Sequence, residues 1–171
     1  MTDALTLDQL NALPPEAVTT RLLHCCGSTE WARRVAAQRP FRSLSELVSV
    51  ADEVWRGLDR QDWLEAFRAH PRIGEREVPA VAAATRAWAE QEQSAARAAA
   101  PGTLARLAAA NQAYEQKFGY RFIVSATGKS AAAMLALLEQ RLHNSPEAEL
   151  RIAAEEQREI TRLRLEKLVG E

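Results

Sequence analysis

A surplus of charge of one sign is missing from this chain: 22 Lys and Arg stand against 23 Asp and Glu, a formal net charge of -1. Nonspecific nucleic-acid binding needs a basic surface, so nucleic acid is not expected as a partner. Long apolar runs are missing as well. No stretch approaches the ~20 residues of a membrane span, and no basic segment followed by an apolar run opens the chain, so no membrane association is expected and the cytoplasm is the default compartment. The chain ends Leu-Val-Gly-Glu rather than Ser-Lys-Leu, which gives no peroxisomal address. Cysteine is scarce, and the two present, Cys25 and Cys26, are adjacent. A disulfide between them would be strained and no CxxC spacing exists, so they read as small apolar helix residues. The three histidines, His24, His70 and His143, form no i,i+4 pair, which argues against a His-based metal site.

What is present is helix, clearly punctuated. At 171 residues the chain is of single-domain size and long enough to bury about two-thirds of its unfolded surface without a metal or disulfide. "LTLDQLNALPP" predicts a short helix ended by Pro14 and Pro15. "EAVTTRLLHCCG" predicts a second, capped by Gly27, and "STEWARRVAAQRP" a third, opened by Ser28 or Thr29. "SLSELVSVADEVWRGL" opens with a capping box of Ser43 and Glu46 and carries apolar residues at helical spacing. A helix through Trp63, Leu64 and Phe67 should stop at His70, because Pro71 pushes the preceding residue out of the α region. Ala, Glu, Gln and Arg richness predicts a helix over residues 80–100, ended by Pro101-Gly102. "TLARLAAANQAYEQKFG" is closed by Gly119. "YRFIVSATG" breaks the pattern with a short extended run. Helices then resume in "KSAAAMLALLEQRLHN" and, after Ser145 and Pro146, to the end. The fold class is all-α: a single compact domain over residues 1–171, of about eight helices with one short extended segment.

Four stretches bear on chemistry. "SATGKS" invites a phosphate-loop reading, but Ile123 stands where the first Walker glycine belongs, and the chain cannot build the parallel sheet that motif needs. What survives is the extended segment, Phe122 to Ala126, whose main-chain groups are not consumed by a helix. If buried they must find partners, either loops and water or an amide-rich ligand. In "RAWAEQEQSAAR" two Glu-Gln pairs, Glu90-Gln91 and Glu92-Gln93, lie on different helix faces; composition leaves both open, and a solvated surface is the plain alternative. His70 offers an imidazole, the side chain whose reference pKa suits proton exchange at neutral pH, at a helix C-terminus that favours the charged form, and is followed by Arg72 and Gly74, a candidate anion contact and a tight turn. His24 and His143 lack such neighbours and read as structural. Finally, Arg158, Arg162 and Arg164 share the last helix with Glu155, Glu159 and Glu166. Most of these charges read as an outer face, with room for one inward arginine to clamp a carboxylate.

Taken together, "AHPRIGE", the Glu-Gln pair about twenty residues on, "NQAYEQKFGYRFIVSATGKS" and "EITRLRL" resemble the 2-oxo-4-hydroxy-4-carboxy-5-ureidoimidazoline (OHCU) decarboxylases of the urate-to-allantoin pathway, over essentially the whole chain. The resemblance implies His70 as proton donor or acceptor with Pro71 beside the substrate. It aligns the family's Ser-x-x-Glu-Gln signature on Ala89 to Gln93, because Trp88 precedes it. That makes Glu92 the acidic partner and Gln93 the amide, with Ala89 in place of the family serine. It further implies that the main chain of Phe122, Ile123, Val124, Ser125 and Ala126 holds the ligand, and that an arginine of the last helix, Arg164 with Arg162 as the alternative, binds it too.

The implied substrate is a small anionic imidazoline with a hydroxyl and a carboxylate on one carbon, next to a ring C=N. That C=N can absorb the electrons left by CO2, so neither thiamine, pyridoxal phosphate nor a metal is chemically necessary, and no cofactor is expected. The Ala-rich faces would suit a homodimer. Two competing readings are a non-catalytic helical interaction module, in which His70 only caps a helix, and an acid–base enzyme acting on a related ureide, which the missing serine at position 89 keeps open.

Overall fold

The computed structural model describes residues 4–73, 83–96 and 99–170. These residues contain nine α-helices and no strand, in keeping with the all-α expectation: α1 (Leu7–Ala12), α2 (Pro15–Cys25), α3 (Thr29–Ala37), α4 (Leu44–Arg56), α5 (Arg60–Arg68), α6 (Ala83–Glu92), α7 (Pro101–Phe118), α8 (Ala131–Arg141) and α9 (Pro146–Leu168). A 3₁₀ turn, Ser94–Ala96, follows α6. By its internal contacts the chain groups into two compact units, Met1–Ala66 with Arg158–Glu171, and Phe67–Gln157, whose divisions fall inside α5 and α9. No described helix is long and apolar enough to cross a membrane.

In the first unit, α2 packs on α3 and α3 on α4. Leu10, Val18, Leu22, Trp31, Val35 and Leu47 are fully buried there, each worth roughly 1.5–3 kcal/mol over the exposed side chain. Trp31 satisfies its indole N–H on the Ala51 carbonyl at 3.1 Å, so its burial leaves no orphaned donor. The end of α1 is closed by a distant residue: Nη1 of Arg39 donates to the carbonyls of Leu10, Asn11 and Leu13 at 3.3, 3.1 and 2.6 Å. A cation on the carbonyls of this helix end also complements the helix dipole. The chain's ends meet in a single parallel bridge, in which Leu5 N–H donates to the Leu168 carbonyl at 2.8 Å.

In the second unit α7 packs on α8. Around Tyr114 an aromatic cluster forms: Phe118 lies 4.7 Å away between ring centroids, and Phe122 stands edge-on at 5.3 Å. Tyr120 joins it and stacks on Phe67 at 5.3 Å. The cluster thus ties the end of α5 to α7 and to the extended segment, the elements on which the candidate site is built.

Helix ends depart from the sequence reading in four places. Gly27 does not cap α2; Cys26 does, in an extended conformation, its N–H bonded to the Leu22 carbonyl. Pro101 opens α7 instead of ending the preceding helix, because a proline at the first helical position forfeits no intrahelical bond. The alanine-rich stretch is not one helix: α6 ends at Glu92 and the chain tightens into the 3₁₀ turn, where Ala96 N–H bonds to the Gln93 carbonyl at 2.9 Å. Propensity is a weak prior that tertiary context overrides. The capping box at Ser43 is half made. Its hydroxyl accepts from Glu46 N–H at 3.0 Å, but the Glu46 carboxylate accepts from Arg42 N–H at 2.6 Å, one residue upstream. Gly119 closes α7 as expected, in the left-handed region at φ 82°.

Candidate active site

The last helical residue of α5 is Arg68, two before His70. The chain leaves through a tightened turn in which His70 N–H bonds to the Phe67 carbonyl at 3.2 Å, so His70 lies just beyond the helix, ahead of Pro71. It is buried, with 9 % of its surface exposed. Two groups hold it. The ring's Nε2 lies 2.5 Å from Oε1 of Gln157 on α9, and Nη1 of Arg121 donates to the His70 and Arg68 carbonyls. Pro71 is half-buried. Arg72 is exposed and paired with Glu115 of α7, its Nε donating to both carboxylate oxygens at 3.0 and 3.1 Å. Gly74 lies outside the described residues.

On α6 the two Glu-Gln pairs have different surroundings. Glu90 and Gln91 are exposed, whereas Glu92 is buried and Gln93 half-buried. Thr85, Ala89, Glu92 and Ala96 form the buried stripe, at the spacing of one helical face. A carboxylate only 7 % exposed is costly unless it is bonded, which sets Glu92 apart from its solvated neighbours.

Residues 121–126 have neither helical nor sheet pairing, and Phe122, Ile123, Val124 and Ala126 are buried. Several of their main-chain groups are served by side chains. Ile123 accepts from Nη1 of Arg141 at 2.7 Å, Ser125 N–H donates to Oε2 of Glu156 at 3.0 Å, and the Ser125 carbonyl accepts from Nζ of Lys129 at 2.7 Å. Arg141 is itself fixed. Its Nε donates to Oε1 of the fully buried Glu149 at 2.7 Å, and its guanidinium lies 4.5 Å from the centre of the Phe122 ring. Tyr114 donates to the same carboxylate oxygen at 2.6 Å, and Asn144 to the other at 3.0 Å. Burial first, and then the bond to Glu149, push the Tyr114 phenol well above its ordinary range, so it stays a donor at any physiological pH. The segment is therefore anchored by a buried ionic network.

Arg164 belongs to the first unit, on the later part of α9, and only 2 % of it is exposed. Arg162 is exposed and pairs with Glu166 at 3.5 Å, and Arg158 pairs with Asp52 at 3.3 Å. Arg164 is thus the inward-facing arginine of the three. Its charge acts on the Cys26 thiol, but burial dominates there and raises that thiol to about 12.

Sequence reasoning missed Gln157, Arg121 and the Arg141–Glu149 pair. Gln157 carried a signal: it is a long polar residue on the apolar stripe Ala153, Ala154, Gln157, Ile160 of α9. The other three carried no comparable signal: Arg121 and Arg141 act on main-chain carbonyls, and Glu149 gathers Tyr114, Arg141 and Asn144 from 35, 8 and 5 residues away, spacings that mark no single helix face.

A groove of about 430 Å³ also lies in the second unit, lined by Arg72, Ile73, Leu104, Leu107, Asn111 and Glu115 among others, and by none of His70, Glu92 or the extended segment.

Comparison with known proteins follows this geometry. The model of a family described as OHCU decarboxylase matches residues 11–166. The chain is 41 % identical over 150 residues to the uric acid degradation bifunctional protein TTL of Arabidopsis thaliana, covering 86 % of this chain but 46 % of that one, so it spans less than half of that relative's length. To the 2-oxo-4-hydroxy-4-carboxy-5-ureidoimidazoline decarboxylase of Haloferax volcanii it is 32 % identical, covering 94 % of each chain. Among solved structures, a crystal structure of OHCU decarboxylase in the presence of (S)-allantoin superposes with a TM-score of 0.77 at 37 % identity, covering 93 % of this chain and all of that one. A helical chain matched over residues 11–166, with relatives of this identity and coverage, belongs to the OHCU decarboxylase family.

Proposed function

We propose that this protein is a carboxy-lyase that decarboxylates OHCU to (S)-allantoin and CO2 in urate breakdown, with His70 as the general acid–base group. The observation that carries the reading is a buried imidazole, held at its ring and at its main chain, in the position the family gives its proton-transfer histidine.

The chemistry asks little of the protein beyond positioning and protons. The bond from the ring carbon to the carboxylate breaks, CO2 leaves, and the electron pair moves into the adjacent C=N, whose nitrogen takes up one proton. The hydroxyl proton then leaves as its carbon becomes a carbonyl, and a proton arrives on one face of the ureido-bearing carbon. Overall one proton replaces CO2. His70 handles the hydroxyl proton, the proton delivered to the ring, or both in turn, with Glu92 as its acidic partner. General acid–base help of this kind contributes roughly 10²–10⁴-fold. Gln93 and the main chain of Phe122 to Ala126 orient the ring and ureido amides, and anchoring by Arg141 and Glu156 supports that role. Pro71 borders the substrate. Arg164 as a substrate-binding cation rests on family correspondence and its burial. Two buried cysteines outside any disulfide accord with the cytoplasm; assembly as a homodimer belongs to the same reading and is read by analytical ultracentrifugation.

The test is circular dichroism of allantoin formed from freshly generated OHCU, with wild type, His70→Ala and buffer side by side. Wild type should accelerate one enantiomer, and the variant should lose about 10²-fold or more. Equal, slow and racemic formation with wild type and buffer overturns the reading.

A further inference from the structure

We infer that Gln157 is a positioning residue for His70, its side-chain carbonyl fixing the imidazole as the tautomer that carries hydrogen on Nε2. The inference rests on the reading of His70 as the acid–base group, and its evidence is separate. Gln157 is fully buried, and its Oε1 lies 2.5 Å from Nε2 across 87 residues of sequence. A ring nitrogen facing an amide oxygen must carry the hydrogen, so the neutral ring has its lone pair on Nδ1. The partner's chemistry matters as much as its place. A carboxylate there would bias the ring toward the charged form, whereas a neutral amide accepts the same N–H bond whether or not Nδ1 is protonated. The ring can therefore change charge without losing its orientation, which a group that takes and returns a proton in one turnover requires. An apolar residue of similar size would fill the space and leave the ring free to rotate and to change tautomer.

The experiment combines kinetics with ¹⁵N NMR of histidine-labelled protein, the His70 signals being assigned by their loss in His70→Ala. In the wild type at neutral pH, Nε2 should show the shift of a protonated nitrogen and Nδ1 that of a lone-pair nitrogen. Gln157→Leu should mix the two tautomers and lower kcat by about 10-fold, the worth of one hydrogen bond, with KM within about twofold. Gln157→Glu, which restores an oxygen at the same reach, should recover the Nε2–H signature. Within the His70→Ala background Gln157→Leu should change the residual rate by less than about twofold, because a residue acting only through His70 has nothing left to act on. Should Gln157→Leu fail to fold, Gln157→Asn, one methylene shorter, removes the same contact. An unchanged tautomer in these variants overturns the inference, and so does an equal loss in both backgrounds. If OHCU is not turned over by the wild type while the tautomer responds as described, the functional reading fails and the hold of Gln157 on His70 stands.

Discussion

Nη1 of Arg121 donates to the main-chain carbonyls of both Arg68 and His70, so the C-terminal turn of α5 is closed by a residue 51 positions further along the chain. A helix ending before a proline leaves carbonyls without intrahelical partners, and a guanidinium satisfies them while complementing the dipole. Arg121 is half-buried and also lies 3.9 Å from Glu115, so its position is set from two sides. Arg121→Ala should free the His70 turn and lower kcat by about 10- to 100-fold through misplacement of the imidazole, with little change in the thermal midpoint. Steady-state kinetics beside a melting curve checks this. A variant with wild-type kcat would show that the turn holds without the cation.

The pair Arg141–Glu149 makes the opposite prediction, stability first. Glu149 accepts from Tyr114, Arg141 and Asn144, and Arg141 in turn holds the Ile123 carbonyl. Removing one member of a buried ion pair strands the other charge, so Arg141→Met should cost about 3–5 kcal/mol of unfolding free energy, read by urea titration. Tyr114→Phe removes a single bond to a charged acceptor and should cost about 1.5–3 kcal/mol. A loss below 1 kcal/mol for Arg141→Met would mean that the network is not the anchor described here.

Cys26 gives a prediction about pH. Burial raises its thiol from 9.0 to about 12, and the bonds to Ser28 and Thr161 and the charge of Arg164 only partly oppose this. Between those two values the folded chain keeps a proton that the unfolded chain has lost. The contribution is therefore fully present below pH 9 and declines as pH rises toward 12, by up to about 1.4 kcal/mol per unit. Denaturation at stepped pH should show a fall above 9 that Cys26→Ala lessens. In the same window the native thiol should resist iodoacetamide and react only on unfolding; rapid alkylation of native protein at pH 8 would contradict its burial.

Much of this architecture was legible in the sequence because helix punctuation is local. Ser28, Ser43 and Ser145 accept from the N–H groups their spacing indicates, and Gly119 takes the left-handed turn. The failures are also physical. Pro101 can end one helix or open the next, and only packing decides between them. The alanine-rich stretch after residue 80 has the propensity for one long helix but tightens after Glu92, since propensity is worth tenths of a kcal/mol per residue against tertiary contacts. For the site, His70 and the extended segment stood out by their own chemistry and pattern and family correspondence added Glu92, whereas of the groups that hold them only Gln157 left a trace, as a polar residue on an apolar stripe. Gln157, Arg121 and Arg141 act on a ring or on carbonyls that have no identity in the sequence, and only a fold brings them together.

Position 89, where the resemblance implies a serine and this chain has alanine, carries the last prediction. Ala89 is buried on the α6 stripe, one turn before Glu92. A serine there would add a hydroxyl at a position only 4 % exposed, and such a group is stabilising only when bonded. If the α6 face borders the substrate, Ala89→Ser should lower KM for OHCU by about 5-fold, the net worth of one hydrogen bond, and leave the unfolding free energy within about 1 kcal/mol. Kinetics and urea titration on the same preparation separate the two effects. An unchanged KM with a stability loss of 1–3 kcal/mol would mean that the hydroxyl finds no partner, and that the α6 stripe is core rather than substrate wall.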